Sequence, residues 1–474
     1  MIELNTISRI YFIGIGGIGM SALAKYFNAK KITVSGYDKT ATSITRQMES
    51  EGININYQDS IEMLDKKAQL VVYTPAIPRD HRQFTFYLQN NYPVVKRSDV
   101  LQEITKDTFN VCIAGTHGKT TISTMVAHIL RDSAFGCTAF LGGTAVNYNT
   151  NFWSSDNNVC VVEADEYDRS FLKLKPDIAV ISAMDPDHLD IYGTEEAMQN
   201  AFINFSNNIR SNGLLVSKFG LSRSDNLKAD NRIHYSLQND SADAYAANIK
   251  MAHGSYQFDV LTKDWMIDDV VLHMGGMHNV ENTVAAITVA HHLKIENIKI
   301  RAAIKNFKGI KRRFEYVLAP SPKGRSEAVF IDDYAHHPEE LKALINGAKS
   351  LFAGMKCTIV FQPHLYTRTR DLAEEFAKSL DLADEIILLP IYPARELPIE
   401  GVSSELILNK MKNKKSSIKT KEELLNYLKP LKAATNDMDS EGNLFITAGA
   451  GDIDAMVEPI KNILIQKSRI NNYV

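Results

Sequence analysis

The chain has 474 residues, which at about 150 residues per domain predicts roughly three domains. Its 53 basic and 56 acidic residues leave a formal net charge of −3, which argues against a basic nucleic-acid binder and against an acidic solvating tail. Hydrophobic residues make up 45% and charged residues 23%, as in globular domains with filled cores. Because no uninterrupted apolar run reaches about 18 residues, we expect no transmembrane helix and no membrane partner.

The cysteines and the N-terminal apolar segment indicate in which cellular compartment the protein is expected to lie. The scattered cysteines form no C-x-x-C pair, which predicts reduced thiols packed in a cytoplasmic protein; they are Cys112, Cys137, Cys160 and Cys357. The apolar stretch 10–24 is similar to a signal peptide with its cleavage site. However, no positively charged segment precedes it and four glycines interrupt it, so we expect a strand, a turn and a helix there.

Short apolar runs alternate with helical patterns along nearly the whole chain, which predicts an α/β fold with mostly parallel sheets. The N-terminal part predicts strands at 9–14, 31–36 and 70–74 and helices at 18–29, 42–51 and 80–90. A second unit is predicted from a strand at 109–114, a helix at 120–132 and strands at 159–163 and 178–183. A third is predicted from a strand at 328–332, a helix at 338–351 and a strand at 357–361.

We therefore expect domains at 1–106, 107–311 and 312–474. The Lys- and Ser-rich stretch 411–421 is predicted to be solvated surface and not a nucleic-acid patch.

A glycine loop follows the first predicted strand and opens a helix. Gly14, Gly16, Gly17 and Gly19 fit the G-x-G-x-x-G spacing, and Asp38 lies at the end of the second strand. Glycines let the backbone approach a pyrophosphate, and the helix N-terminus supplies N–H donors to it. Such a loop recognises the pyrophosphate and not the rest of the ligand, so the ligand is either a nicotinamide dinucleotide or a sugar nucleotide. A purely structural turn is the alternative.

A second glycine loop follows the strand at 109–114 and resembles a P-loop. Residues 115–121 read Gly-Thr-His-Gly-Lys-Thr-Thr. The backbone would cradle the phosphates of ATP, Lys119 would reach the β and γ oxygens, and the Thr120 hydroxyl would bind Mg²⁺. The strict pattern places glycine where this chain has Ile113. Two phosphate loops on separate α/β units argue against a nicotinamide oxidoreductase.

Carboxylates follow two further predicted strands. The first strand runs into Glu163, Asp165 and Glu166, and the next runs toward Asp187 and His188. Ligands of α/β sheets gather at the carboxyl ends of strands, so these side chains are expected near the phosphates. Glu163 is the best Mg²⁺ candidate, whereas His188 is an unusual Mg²⁺ ligand that Mn²⁺ would tolerate. The alternative is that these residues cap helices or lie in exposed loops.

At these residues the chain resembles the Mur ligases, the ATP-dependent amide-forming family of peptidoglycan precursor synthesis. The resemblance extends over essentially the whole chain. It is carried by motifs in the expected order, at 14–24, 115–121, 163–172, 187–190, 276–282, 311–314, 332–338, 361–369 and 449–453.

The resemblance implies three domains: a Rossmann-like unit for the UDP-sugar, a central P-loop ATPase-like unit with a parallel sheet, and a C-terminal Rossmann-like α/β unit for the amino acid. It assigns Gly14, Gly16, Gly17, Gly19 and Asp38 to the UDP-sugar. ATP is assigned to Gly115, Thr116, His117, Gly118, Lys119, Thr120, Thr121, Asn279, Asn282, Arg313 and Asp333. Metal ions are assigned to Thr120, Glu163 and His188, and the amino-acid side to His336 and Arg368.

Two departures from the family pattern bear on which branch of the family the chain resembles. Position 365 is Leu, where some members of the alanine-adding branch carry Arg. Residues 189–209 contain no lysine, whereas several sister ligases carry a carbamylated lysine there. The second departure fits the alanine-adding branch, which joins L-alanine to UDP-N-acetylmuramate. The nearest rival is a salvage ligase that attaches a murein tripeptide to the same nucleotide.

The chemistry implied is activation of a carboxylate by ATP as an acyl phosphate, followed by attack of the amine. Lys119 and Arg313 would carry the electrostatics together with the metal ions. The sequence does not identify the base that deprotonates the amine; His188, if it binds no metal, and His336 are the candidates. Several later motifs also have structural alternatives: Asn279 and Asn282 as helix caps, and Arg312 as a solvated neighbour of Arg313. A non-catalytic nucleotide-binding protein is the remaining functional class. The sequence indicates no oligomeric state.

Overall fold

The computed structural model describes residues 4–187, 189–320, 328–394, 396–429 and 442–471. In this part of the chain three β-sheets form, each covered by helices, which confirms the predicted α/β fold class. By its internal contacts the chain divides into two compact units. The first comprises 1–247, 259–268 and 281–307, and the second comprises 248–258, 269–280 and 308–474. The predicted domain boundaries stay a prediction.

The N-terminal sheet is parallel and has the strand order β3-β2-β1-β4-β5. Its strands are β1 (Arg9–Ile13), β2 (Thr33–Tyr37), β3 (Asn54–Asn56), β4 (Leu70–Tyr73) and β5 (Val94–Lys96). Its helices are α1 (Ile18–Ala29), α2 (Ser43–Ser50), α3 (Arg82–Gln89) and α4 (Arg97–Ile104). The chain leaves β1 toward β2 on one side and later returns to β4 on the other. Ligands of such sheets bind at this reversal, outside the carboxyl ends of the strands.

The central sheet has the order β15-β14-β13-β12-β11-β10-β6-β9-β7-β8. Its strands are β6 (Phe109–Ala114), β7 (Thr138–Ala145), β8 (Thr150–Trp153), β9 (Val159–Glu163), β10 (Ile178–Ile181), β11 (Leu214–Lys218), β12 (Asn231–Ser236), β13 (Ala244–Ala252), β14 (Ser255–Thr262) and β15 (Met266–Leu272). Its helices are α5 (Lys119–Asp132), α6 (Leu189–Tyr192), α7 (Glu195–Ser206), α8 (Met277–His292) and α9 (Asn297–Asn306). Strand β6 pairs in parallel with both β9 and β10, and β7 pairs antiparallel with β8.

The third sheet has the order β16-β17-β21-β18-β19-β20, in which β16 is antiparallel to β17 and the other pairs are parallel. Its strands are β16 (Glu315–Leu318), β17 (Ala328–Asp333), β18 (Lys356–Phe361), β19 (Glu385–Leu388), β20 (Ser416–Ile418) and β21 (Asn443–Ala448). Its helices are α10 (Pro338–Leu351), α11 (Tyr366–Asp371), α12 (Ala373–Leu380), α13 (Glu405–Leu408), α14 (Lys421–Leu428) and α15 (Val457–Asn471).

Every predicted element has a counterpart in the structure. Helices 18–29 and 338–351 and strands 109–114 and 159–163 match the structure at both ends, and the other predicted elements overlap their counterparts. The four cysteines are free and buried, as expected for packed thiols. Within the described residues, no helix is long and apolar enough to cross a bilayer.

In the first unit, helix α1 of the N-terminal sheet packs on β7 and β8 of the central sheet. The rings of Tyr26, Phe140 and Phe152 meet there, with centroids 5.4 to 6.1 Å apart. A single cluster of buried apolar residues continues from Ile10 through Phe152 to Leu227. The two sheets therefore share one hydrophobic core.

Lys25 of α1 lies inside this contact, with 5% of its surface exposed. Its Nζ lies within 3.3 Å of the side-chain oxygens of Gln47, Thr150 and Asn151. Asn151 in turn donates to the carbonyl oxygen of Ile18 at 2.7 Å. Burial lowers the pKa of the Lys25 ammonium, and the neutral oxygens around it satisfy its donors.

The Lys25→Met variant is expected to lower the free energy of unfolding by about 1–3 kcal/mol. Methionine fills a similar volume but leaves one buried oxygen, that of Asn151, and two partly buried oxygens without their donor. The measurement is urea denaturation followed by circular dichroism. The matched control is Lys30→Met, because Lys30 is exposed on the following turn. Equal midpoints for the two variants would contradict the role given to Lys25.

Candidate active site

The P-loop connects the end of β6 to the start of α5, as the sequence predicted. Gly115 has φ +135° and Gly118 has φ +82°, and both values lie in the region that favours glycine. A Cβ on Gly115 would overlap the Oγ atom of Ser182. The glycines at these positions are therefore required both by backbone conformation and by close packing.

Ser182, which the sequence analysis did not single out, supports the loop from β10. Its hydroxyl donates to the carbonyl oxygen of His117 and also lies 3.3 Å from that of Ala114. The N–H of Thr116 donates to the carbonyl oxygen of Ala183 at 3.1 Å. The end of β10 thus fixes the loop by hydrogen bonds at several points along its length.

Lys119 is held by a carboxylate of the neighbouring strand end. Its ammonium donates to Glu166 Oε1 at 2.7 Å and to the carbonyl oxygen of Gly115 at 2.6 Å. The Glu166 side chain is 1% exposed and the Lys119 side chain 14% exposed. Burial raises the pKa of Glu166, and the positive charge of Lys119 opposes that shift. The pair leaves the Lys119 ammonium next to the loop that would bind phosphate.

Thr120 and Glu163 come together, as predicted for metal ligands. The Thr120 hydroxyl donates to Glu163 Oε1 at 2.9 Å. Gly142 of β7 donates its N–H to Glu163 Oε2 at 2.9 Å, and the Ser123 hydroxyl lies 3.4 Å from the same oxygen. A hydroxyl and a carboxylate at the mouth of a phosphate loop form the hard oxygen donor set that Mg²⁺ prefers. Gly142 and Ser123 are additions that only the fold reveals.

The other P-loop candidates differ in exposure. Thr116 and Thr121 are buried, and the hydroxyl of Thr116 has no hydrogen-bond partner among the described residues. His117 is exposed, and its Nε2 lies 3.9 Å from Asp185. Asn282 of α8 places its Oδ1 atom 2.8 Å from the position that a Cβ on Gly118 would take. A buried hydroxyl that lacks a protein partner beside the loop is consistent with a phosphate ligand.

One predicted metal ligand cannot be placed in this way. His188, the expected second metal ligand and one candidate base, lies outside the described residues. Among the residues that are described, no three His, Cys, Asp or Glu side chains converge as a metal centre.

The first glycine loop also forms as predicted, and Asp38 lies directly on it. The N–H of Gly16 donates to Asp38 Oδ2 at 2.7 Å, and the N–H of Gly14 donates to the carbonyl oxygen of Tyr37 at 2.8 Å. Gly17 is the N-cap of α1 and carries no side chain to cap it. The four glycines and Asp38 are therefore brought together at the carboxyl ends of β1 and β2.

Arg97, which the sequence analysis missed, lies against this loop. It opens α4, directly after β5. Its Nη1 atom is 3.1 Å from the position that a Cβ on Gly19 would take, and its side chain is 18% exposed. Its nearest carboxylate is that of Asp165, at 3.9 Å. A guanidinium at this place is suited to a pyrophosphate.

The remaining candidates belong to the second unit, where neighbouring arginines differ in environment. Arg313 is exposed, whereas the Arg312 side chain is 19% exposed. Arg312 donates to the carbonyl oxygen of Gly449, lies 3.4 Å from Asp332, and stacks on Tyr334 at 5.1 Å. The expectation of a solvated neighbour is therefore wrong for Arg312.

Asp333, predicted to contact the nucleotide, holds the turn that carries Arg313. Its oxygens accept from the N–H groups of Phe314 and Ala335, both at 2.7 Å. Arg312 and Phe314 on either side of Arg313 have φ values of +61° and +48°. Burial raises the pKa of Asp333 to about 6. Its geometry thus gives it a positioning role, and the nucleotide contact stays a prediction.

The amino-acid-side candidates lie in one aromatic cluster of the second unit. The ring of His336 lies 6.1 Å from that of His364, and Arg368 Nη1 is 3.5 Å from His364 Nδ1. His364 also stacks on Tyr392 at 5.9 Å. Leu365 has φ +72°, a strained value for a residue with a branched side chain. His336 and Arg368 are thus joined through His364.

Asn279 of α8 is buried, and its side-chain amide donates to the carbonyl oxygen of Gly275 at 2.6 Å. Gly275 lies two residues before the first residue of α8, and a side chain that donates does not cap the free N–H groups of a helix N-terminus, so the helix-cap alternative also stays open. The nucleotide contact predicted for Asn279 stays a prediction.

Three consecutive segments of the chain match one protein family. Residues 9–108 match the Mur ligase family, catalytic domain; residues 113–290 match the Mur ligase middle domain; residues 312–451 match the Mur ligase, glutamate ligase domain.

Individual proteins are similar over the full length. The UDP-N-acetylmuramate–L-alanine ligase of Parabacteroides distasonis is 44% identical over 473 residues, covering 98% of this chain and 99% of the relative. The crystal structure of the UDP-N-acetylmuramate–alanine ligase of Thermotoga maritima has a TM-score of 0.80 at 26% identity, covering 97% and 99%. A murein peptide ligase from Psychrobacter arcticus shares the fold, with a TM-score of 0.65 at 23% identity over 96% and 98%. These likenesses confirm the predicted three-domain fold.

The Gly142→Ala variant is expected to fold but to lose metal-dependent nucleotide binding by about tenfold or more, which corresponds to about 1.4 kcal/mol. The added Cβ would overlap both carboxylate oxygens of Glu163, and that side chain would have to leave Thr120. The measurement is calorimetric titration with a non-hydrolysable ATP analogue, with and without Mg²⁺. The matched control is Gly347→Ala, because a Cβ there meets nothing within 4 Å. Unchanged binding in Gly142→Ala would show that the position of Glu163 is unimportant.

Proposed function

The chain belongs to the Mur ligase family, and from this membership and the site geometry we propose that it joins L-alanine to the lactyl carboxylate of UDP-N-acetylmuramate. The reaction consumes ATP, gives ADP and phosphate, and takes place in peptidoglycan precursor synthesis in the cytoplasm. The observation that carries the proposal is the presence of two glycine loops, each between a strand end and a helix N-terminus, in a single compact unit. A ligase that activates a nucleotide-linked acid with ATP needs such a pair of loops.

Other functions are less well supported by the same observations. The P-loop with its Thr120–Glu163 pair has no use in a nicotinamide oxidoreductase. A salvage ligase that attaches a murein tripeptide is the second candidate. It is disfavoured because the full-length relative at 44% identity is an L-alanine ligase, whereas the murein peptide ligase at 23% shares only the fold.

In the proposed mechanism, ATP phosphorylates the lactyl carboxylate, and the amine of L-alanine attacks the resulting acyl phosphate. Amide formation from a free carboxylate is unfavourable at neutral pH, so this activation is required. Lys119 would stabilise the charge on the β and γ oxygens, and Arg313 would neutralise the phosphoryl group in transfer. Thr120 and Glu163, with His188, would hold Mg²⁺, which when bound supplies further positive charge.

The chain's other residues would bind and orient the substrates. The first glycine loop with Asp38 would take the UDP moiety, and the P-loop with Asn282 and Asn279 would take ATP. His336 and Arg368 would face the amino acid, with Arg368 suited to its carboxylate. His336 is a candidate to accept the ammonium proton, since its ring nitrogen lies 2.9 Å from a backbone carbonyl oxygen that can hold it in place.

The function is tested by phosphate release from MgATP with UDP-N-acetylmuramate and each of the twenty amino acids, and with the murein tripeptide. L-Alanine is expected to give the highest kcat/KM, with release dependent on both substrates. Release that follows the tripeptide and not L-alanine would favour the salvage ligase. Release independent of either substrate would reject a ligase altogether.

The acyl phosphate is tested with ¹⁸O in the lactyl carboxylate. No cysteine or serine nucleophile with an adjacent base occurs in any motif, so the substrate carboxylate is the expected phosphoryl acceptor. The label should appear in the released phosphate when ATP, Mg²⁺ and L-alanine are all present. Label in AMP, or unlabelled phosphate with full amide formation, would reject this mechanism.

A further inference from the structure

Residues 163–171, which follow β9 and which we call the carboxylate turn, contact the P-loop through Glu166. Its carboxylate lies 2.7 Å from the Lys119 ammonium, and both side chains are largely buried. The same ammonium is the group that would bind the β and γ phosphates of ATP. Glu166 is therefore paired with the cation that an incoming phosphate would bind, and the two compete for it.

The same turn contacts the first glycine loop through the preceding carboxylate. Asp165, whose side chain is 46% exposed, lies 3.9 Å from Arg97, at ion-pair distance but beyond a hydrogen bond, and the Arg97 guanidinium rests against Gly19. Arg97 is the mostly buried cation at the place where the pyrophosphate of a UDP-sugar would bind. Asp165 is thus the carboxylate partner of a cation at the first loop, as Glu166 is at the second, although the Asp165–Arg97 contact is longer and more exposed than the Glu166–Lys119 bond. Phosphate and carboxylate are competing partners for a guanidinium as they are for an ammonium.

The turn that carries both carboxylates is tied together by hydrogen bonds. Asp165 Oδ1 accepts from the N–H of Tyr167 at 3.1 Å, and the Asp165 carbonyl oxygen accepts from the Ser170 hydroxyl at 3.1 Å. The Glu166 carbonyl oxygen accepts from the N–H of Arg169 at 3.0 Å and from the Tyr192 hydroxyl at 2.6 Å. Because these bonds hold the two residues in one segment, we expect a displacement of one carboxylate to displace the other.

We propose that Asp165 and Glu166 are positioning residues that couple the two phosphate sites, so that phosphate bound at one loop favours phosphate binding at the other. The inference rests on the proposed function, because that function supplies a ligand for each loop. A pyrophosphate that takes Arg97 releases Asp165, and the turn is then free to withdraw Glu166 from Lys119. Conversely, phosphates that bind Lys119 displace Glu166, and the turn is then free to withdraw Asp165 from Arg97. The effect is the same in both directions because coupling between sites is reciprocal.

The coupling is measured by titrating the full chain with the Mg²⁺ complex of β,γ-imido-ATP, with and without saturating UDP. In the unmodified protein UDP is expected to tighten the nucleotide by about fivefold or more, and the nucleotide to tighten UDP by the same factor. In Asp165→Asn this factor should fall to about one, although each ligand still binds alone. Asparagine retains the Oδ1 acceptor for Tyr167, so the turn is preserved.

Glu166→Gln supplies the second variant. It should tighten the imido nucleotide on its own, because the competing charge is removed, and should also abolish the effect of UDP. A purely structural role would weaken nucleotide binding instead. Asp168→Asn is the matched control, since it removes one charge from the same turn while keeping the Oδ1 acceptor for Ser170, and it should retain the full coupling.

The outcomes separate this inference from the proposed function. If both ligands bind but UDP leaves the nucleotide affinity unchanged, or if Asp165→Asn keeps the coupling, the inference is overturned and the ligase assignment stands. If neither UDP nor the imido nucleotide binds, the two proposals fall together.

Discussion

The candidate nucleotide site depends on one constraint of topology, the placement of β6 between β9 and β10 in a parallel sheet. The register sets Ile113 opposite Glu163 and Ala114 opposite Ile181, so all three strands end at the same level. The chain segments that follow them must then meet. They are the P-loop, the turn with Glu163 and Glu166, and Ser182. The strand order of the sheet thus brings residues that are far apart in sequence within hydrogen-bond distance of one another. The sequence of the loop itself contributes little to which residues meet there.

This arrangement concentrates charges of both signs at one edge of the sheet. A phosphate site needs a cation such as Lys119, and a metal site needs a carboxylate such as Glu163. When both are placed together, buried acids and bases neutralise one another, as Lys119 and Glu166 do at 2.7 Å. Such a pair adds little net stability, because desolvation offsets most of the attraction. Its presence is better explained by ligand chemistry than by folding.

Sequence patterns predicted the elements and residues that depend on local spacing. Helix 18–29, the two glycine loops and Glu163 at a strand end follow from periodicity, glycine placement and the rule for parallel sheets. The supporting residues could not be predicted in this way. Ser182 and Arg97 contact loops that lie 40 to 80 residues away in the sequence, and Gly142 donates to the carboxylate of Glu163 on a neighbouring strand. These contacts depend on which strands are neighbours in the sheet. Several strands were also not predicted. The strands β3 and β5 have three residues each, too few to show a period, and short apolar runs such as β11 and β21 cannot be told from buried helix by periodicity alone.

Arg312 and Arg313 show why residue type alone does not assign a role. Side chains that are adjacent in sequence usually point in different directions, and the direction each takes is set by backbone conformation. Here positive φ values at Arg312 and Phe314 bend the chain around Arg313, and Asp333 fixes the bend by accepting the N–H of Phe314, while its other oxygen accepts the N–H of Ala335. The bend turns Arg312 onto Asp332 and Tyr334 and leaves Arg313 exposed. A guanidinium is therefore structural at Arg312 and available to a ligand at Arg313. Asp333, which the resemblance assigned to the nucleotide, holds the bend that gives the two arginines these different environments.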